Sequence, residues 1–182
     1  MRDGDSDVAA LILRLAIGPM LMTHGYNKVM GSGGLEGTTG WFDSLGLQPA
    51  WLHARMAAAT ELGAGAAITV GAMSPLPAAA VVGLMATAAA TDHRGKGFFI
   101  FKGGWEYVGV VGAAATALAA LGSGRYSVDG LLGRKKRSGG KAALFAAAFG
   151  VANAAALLAA TYRPTSPDAA PAEAVEATEP GD

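Results

Sequence analysis

Charge placement constrains this chain more than any other feature. Its 14 basic and 14 acidic residues gather in clusters and leave five uncharged or nearly uncharged runs: Val8–Val29, Leu52–Met73, Leu76–Thr91, Trp105–Leu121 and Ala142–Tyr162. A helix rises about 1.5 Å per residue, so the longer runs suffice to cross a hydrocarbon core of roughly 30 Å. Charged residues make up 15% of the chain, against about 25% in a typical soluble domain. The expected fold is therefore all-α, an integral membrane helical bundle with five spans. Alanine and glycine dominate the runs, and small residues let membrane helices approach closely.

The segments between the runs set the expected orientation. Gly31–Gly40 reads as a loop. It is no phosphate cradle, because no Lys-Ser or Lys-Thr follows it. Trp41–Pro49 mixes aromatic and aliphatic residues with turn formers and reads as a short segment lying in the membrane interface. The Gly95–Gly104 loop holds Phe98, Phe99 and Phe101 and leads into Trp105, as expected at headgroup depth. The loop between the fourth and fifth runs carries Arg125, Arg134, Lys135, Lys136, Arg137 and Lys141. Basic residues in short loops favour the cytoplasmic side, which puts the N-terminus inside and the C-terminus outside. The charged start, and Arg14 within the first run, argue against a secretory signal. The Pro-, Ala- and Glu-rich tail lacks the apolar content to fold.

Ionisable groups inside a membrane cost roughly 2.5–3.5 kcal/mol each on insertion scales and are usually paired or face a wet cavity. The candidates are Arg14, His24, Lys28 and Glu61, with Glu106 and Tyr107 at the mouth of the fourth run. Arg14, Gly18, Leu21, Gly25 and Lys28 recur at steps of four and three and share one helix face. His24 falls near the outer end of the first run, Glu61 at mid-depth and Glu106 at the outer mouth of the fourth, so a polar pocket in the outer half, closed by the Phe98–Phe101 loop and with Glu61 opposite His24, is geometrically open to them. Asp129 or a lipid phosphate is the natural partner for Arg14, or its head snorkels to the interface. No catalytic residue stands out. The three histidines are not at ligand spacing, so no metal site is read. The absence of cysteine excludes thiol redox chemistry and iron–sulfur ligation by this chain. The juxtamembrane basic knot reads as orienting a helix or touching anionic lipid, not as binding nucleic acid.

Several of these motifs resemble the DoxX family of small bacterial membrane proteins. They are Leu13-Arg14, then Gly18, then His24-Gly25-Tyr26-Asn27-Lys28; Leu45-Gly46-Leu47-Gln48-Pro49; Glu61-Leu62-Gly63-Ala64-Gly65; the Gly97–Tyr107 loop; and Gly122-Ser123-Gly124-Arg125-Tyr126-Ser127-Val128-Asp129. They run in family order over about residues 10–130. The resemblance implies a four-helix DoxX-like membrane domain at 1–133 in a bacterial plasma membrane. A basic cytoplasmic linker at 134–141, a fifth transmembrane helix at 142–162 and a disordered acidic tail at 163–182 depart from the family pattern.

The resemblance also implies a functional setting. Family members resemble subunits of quinone-linked sulfur oxidation, and others are linked to redox stress or to membrane oxidoreductase assemblies. The expected role is a multi-pass accessory or scaffold subunit of membrane redox enzymes, more a non-catalytic subunit than an enzyme. Its expected contacts are the lipid bilayer, an oxidoreductase partner and a quinone. The alternatives are a quinone-reducing oxidoreductase subunit, or a small-solute or proton carrier using Glu61 and His24.

Overall fold

A computed structural model describes residues 3–134 and 137–164. Lys135, Lys136 and the tail from residue 165 onward, for which disorder is expected, lie outside the described residues. The described chain forms seven α-helices: α1 (Asp3–Met30), α2 (Gly34–Ser44), α3 (Ala50–Val70), α4 (Leu76–Ala90), α5 (Glu106–Leu121), α6 (Val128–Leu131) and α7 (Gly140–Thr161). The five apolar runs coincide with α1, α3, α4, α5 and α7. Among these helices α1 packs on α3 and α5, α4 packs on α3, α5 and α7, and α5 also packs on α7.

The ends of two elements differ from expectation. α1 starts at Asp3, not at Val8, because acidic residues in a first turn favour the helix dipole. Asp7 also accepts a hydrogen bond from the Arg125 amide at 3.1 Å. Gly31–Gly40 was expected as loop but is helical from Gly34. Each glycine disfavours a helix by about 1 kcal/mol; here tertiary contacts outweigh that. Phe42 is buried, and the Thr38 hydroxyl donates to the Lys28 carbonyl at 3.1 Å.

Small residues set the helix crossings. A Cβ placed on Gly18 would lie 2.8 Å from the Gly65 carbonyl oxygen, and one on Gly65 would lie 2.8 Å from that of Gly18. Backbones of α1 and α3 therefore touch. α7 meets α4 in the same way, since a Cβ on Gly150 would stand 2.7 Å from the Ala79 carbonyl oxygen. The interior is mostly alanine, glycine and valine. Large apolar side chains point outward, among them Leu144 at 69%, Val110 at 64% and Ile12 at 62% exposure. Soluble domains bury such residues preferentially.

Two helices, α1 and α7, are long and apolar enough to cross a membrane. α4 and α5 are apolar but have 15 and 16 residues, short of the roughly 20 a spanning helix needs. α3 has 21 residues and carries Arg55 and Glu61.

Candidate functional site

The face of α1 that meets α3 carries Arg14, Gly18, Leu21 and Gly25, all buried, with Lys28 half-buried. Gly25 is what brings Lys28 to Glu61. A Cβ on Gly25 would lie 3.0 Å from the Glu61 Cβ, so only glycine allows the approach there. One turn on, Lys28 Nζ donates to Glu61 Oε1 at 2.8 Å and lies 2.7 Å from Oε2. No hydroxyl or backbone donor reaches Glu61 among the described residues, so Lys28 alone holds its carboxylate. Glu61 is 6% exposed.

The pair borders a cavity of about 680 Å³. His24, His53, His93 and Tyr107 also line it. The Tyr107 hydroxyl and His24 Nε2 are 3.2 Å apart. His93 Nδ1 lies 2.6 Å from the Gly103 carbonyl oxygen. A carbonyl only accepts, so Nδ1 carries the proton and Nε2 of the neutral ring is an acceptor. His53 Nε2 makes the equivalent bond to the Gln48 carbonyl at 3.3 Å. The rest of the wall is mainly apolar, including Trp41, Met56, Leu84, Phe149 and Leu157. The arrangement offers an ammonium donor and a carboxylate acceptor side by side, with an apolar chamber next to them.

Three expectations about the polar residues are corrected. Glu61 pairs with Lys28 and not with His24, which turns to Tyr107 instead. The Phe98–Phe101 loop does not close the cavity. Phe98, Phe99 and Phe101 are exposed and stack against one another and Trp105; none of them lines the cavity, whereas Trp41, Phe42, Leu45 and Leu47 do. Glu106 is absent from the lining and accepts from the Ile100 amide at 3.1 Å, so it fixes that loop. His53, His93, Phe149 and Asn153 were not foreseen as lining residues. Asn153 did carry a signal: it is the one polar side chain in α7 between Lys141 and Thr161.

Arg14 belongs to the opposite end of the bundle. Its guanidinium donates to the carbonyls of Ile68 at 3.1 Å, Thr69 at 2.9 Å, Ser123 at 2.9 Å and Tyr126 at 2.7 Å, and the residue is 4% exposed. It therefore bonds neither Asp129 nor a lipid phosphate, and it does not snorkel. The carbonyls in the last turn of α3 form a negative helix terminus that suits a cation. Gly71 ends α3 in the left-handed region at φ 70, and a Cβ there would lie 2.6 Å from the Arg14 Cζ. Asp129 braces the same end from outside. It accepts from the Ser74 amide, the Ser123 hydroxyl and Arg134 at 3.0–3.1 Å. Burial pushes the Asp129 carboxyl up; hydrogen bonds from the Met73 and Ser74 backbone, Ser123 and Arg134 outweigh it and hold it below the usual carboxylate range.

The DoxX family model matches residues 9–94. Over these residues, a little under half of its length, the chain is similar to the DoxX family. The DoxX match takes in most of α1 and the whole of α2, α3 and α4, and with them Arg14, His24, Lys28 and Glu61. Glu106, Tyr107 and α7 lie beyond it. No curated protein and no solved structure matches the chain. The DoxX match and the apolar helices point to a helical, membrane-associated protein in contact with lipid.

Proposed function

We propose that this protein is a non-catalytic, multi-pass subunit of membrane redox enzymes, and that its cavity takes a quinone-class molecule. The supporting observation is the Lys28–Glu61 pair at the edge of a mainly apolar chamber of about 680 Å³, a size in the usual range for small-molecule sites. Lys28 offers N–H to a head-group carbonyl, and Glu61 offers an acceptor to a head-group hydroxyl. Both oxidation states of a quinone head thus find a partner. Leu84, Phe149 and Leu157 receive the apolar body. When bound, the quinone supplies the electron-carrying chemistry; the chain's own residues bind and orient it.

On this reading α1, α3, α4, α5 and α7 all cross the plasma membrane, the N-terminus is cytoplasmic and the C-terminus is outside. The outward-facing leucines, valines and isoleucines support it, because such residues are favoured against lipid. Residues 1–133 form the family domain, 134–141 a cytoplasmic linker and 142–162 the fifth span, and 163–182 an extracytoplasmic tail. The shorter α4 and α5 cross where polar loops at both ends let the bilayer thin around them.

Trp41 lines the cavity and reports on it. Titrating a decyl-tailed benzoquinone into detergent-purified protein is expected to quench tryptophan fluorescence saturably, with binding at least about tenfold weaker in Lys28→Met. Quenching that rises linearly and equally in both proteins would count against the site. Pull-down in mild detergent is expected to recover an oxidoreductase partner.

A further inference from the structure

α3 and α7 both flank α4, yet they form no packed interface with each other along their length. Among the described residues they are tied where α3 begins and α7 finishes, which is the outer end on the proposed topology. There the Gln48 amide donates to the Thr161 carbonyl at 2.9 Å and the Arg163 amide to the Gly46 carbonyl at 2.7 Å. Phe42, Leu47, Leu158 and Tyr162 pack beneath these bonds. Trp41 and Phe42 of α2, with Leu45 and Leu47, line the cavity at this end.

Further in, the two helices part. Met56 and Thr60 of α3 face the cavity from one side, Phe149 and Asn153 of α7 from the other, with Ala80 of α4 between them. Met56 is 44% and Phe149 51% exposed, as lips of an opening should be. Their depths agree. At 1.5 Å per residue, Met56 and Thr60 lie about 9 and 15 Å from the outer end of α3, and Asn153 and Phe149 about 12 and 18 Å from that of α7. On the proposed topology that is hydrocarbon, not headgroup. Asn153 Nδ2 donates to the Phe149 carbonyl at 2.8 Å, which reduces the cost of an amide there.

We infer that the gap between α3 and α7 is a lateral mouth through which a long-tailed amphipath passes from the bilayer. Its head reaches Lys28 and Glu61, and its tail stays between Met56 and Phe149 in the lipid. The inference rests on the quinone-class reading of the cavity. A chamber of this size holds a head group and a short length of chain, so a longer chain must leave through an opening, and the α3–α7 gap is one that lies at hydrocarbon depth. α7, which lies beyond the DoxX match, supplies one whole lip.

The chain has no cysteine, so Met56→Cys with Asn153→Cys can be bridged by a cleavable bifunctional thiol reagent. The probe is the decyl-tailed benzoquinone. Bridging before loading is expected to slow uptake at least about tenfold. Loading before bridging is expected to trap the probe through gel filtration until the bridge is cleaved. Each single-cysteine variant, treated alike, is expected to behave as unbridged protein. Ala80→Trp, which fills the mouth without a cross-link, is expected to slow uptake as well. Uptake and release at the unbridged rate in the bridged protein would overturn the lateral route while leaving the quinone-class reading standing. Wild-type protein that takes up no probe would remove that reading and the mouth with it.

Discussion

Removing one partner of the Lys28–Glu61 pair strands the other as a charge inside the bundle, which typically costs about 3–5 kcal/mol. Glu61→Gln removes the charge but keeps the shape and a hydrogen-bond acceptor for the partly exposed Lys28, which offsets most of that cost, so it is expected near normal abundance but with quinone binding weakened at least about tenfold. Glu61→Leu strands the ammonium and is expected to lower the yield of folded protein. If Gln binds like wild type and only Leu fails, the pair is structural and the site reading is wrong. Asp129 makes a pH prediction. Its folded carboxyl titrates below its unfolded value of about 3.9. Its contribution to stability is therefore complete above that value and lost as pH falls through the folded one. Thermal unfolding in detergent should show wild type losing stability below about pH 4 more steeply than Asp129→Asn; parallel curves would deny Asp129 this role. The helix face of Arg14, Gly18, Leu21, Gly25 and Lys28 was legible in the sequence because a period of 3.6 fixes which residues share a face. Their partners were not. Which residue of α3 sits opposite Lys28 depends on how closely Gly25 and Gly65 let the helices come.

The five long helices were legible as elements because charge-free runs end where charges begin. α2 was not, since its glycines argue locally against a helix and only burial of Phe42 and the Thr38 bond to α1 argue for one. The aromatic loop before α5 was misread as a lid because composition speaks to an aromatic loop's preference for an interface and not to what it covers. The α4–α7 crossing gives the prediction at this scale. Gly150→Leu drives a side chain into the Ala79 carbonyl and is expected to cost about 1–3 kcal/mol, read as a lower unfolding temperature in detergent and as weaker probe binding. Gly140→Ala has no neighbour within 4 Å and is the control, expected to be neutral. Equal stability of the two variants would mean that α7 is not seated on α4 as described.

Across the whole molecule, small side chains lie inside and large apolar ones outside, the arrangement expected of a protein whose surroundings are lipid. The order of the long helices could be read from the chain; their neighbours could not, and the gap between α3 and α7 exists because both pack on α4 and not on each other. The proposed lateral route requires these helices to cross the membrane with the cavity end outward. A cysteine-free chain permits a direct check with single exposed cysteines, Ser32→Cys between α1 and α2 and Leu132→Cys between α6 and α7. A membrane-impermeant maleimide on intact cells is expected to label Ser32→Cys at once and Leu132→Cys only after permeabilisation. Labelling of both from the same side, or of Leu132→Cys alone in intact cells, would contradict the five-span, outward-cavity arrangement.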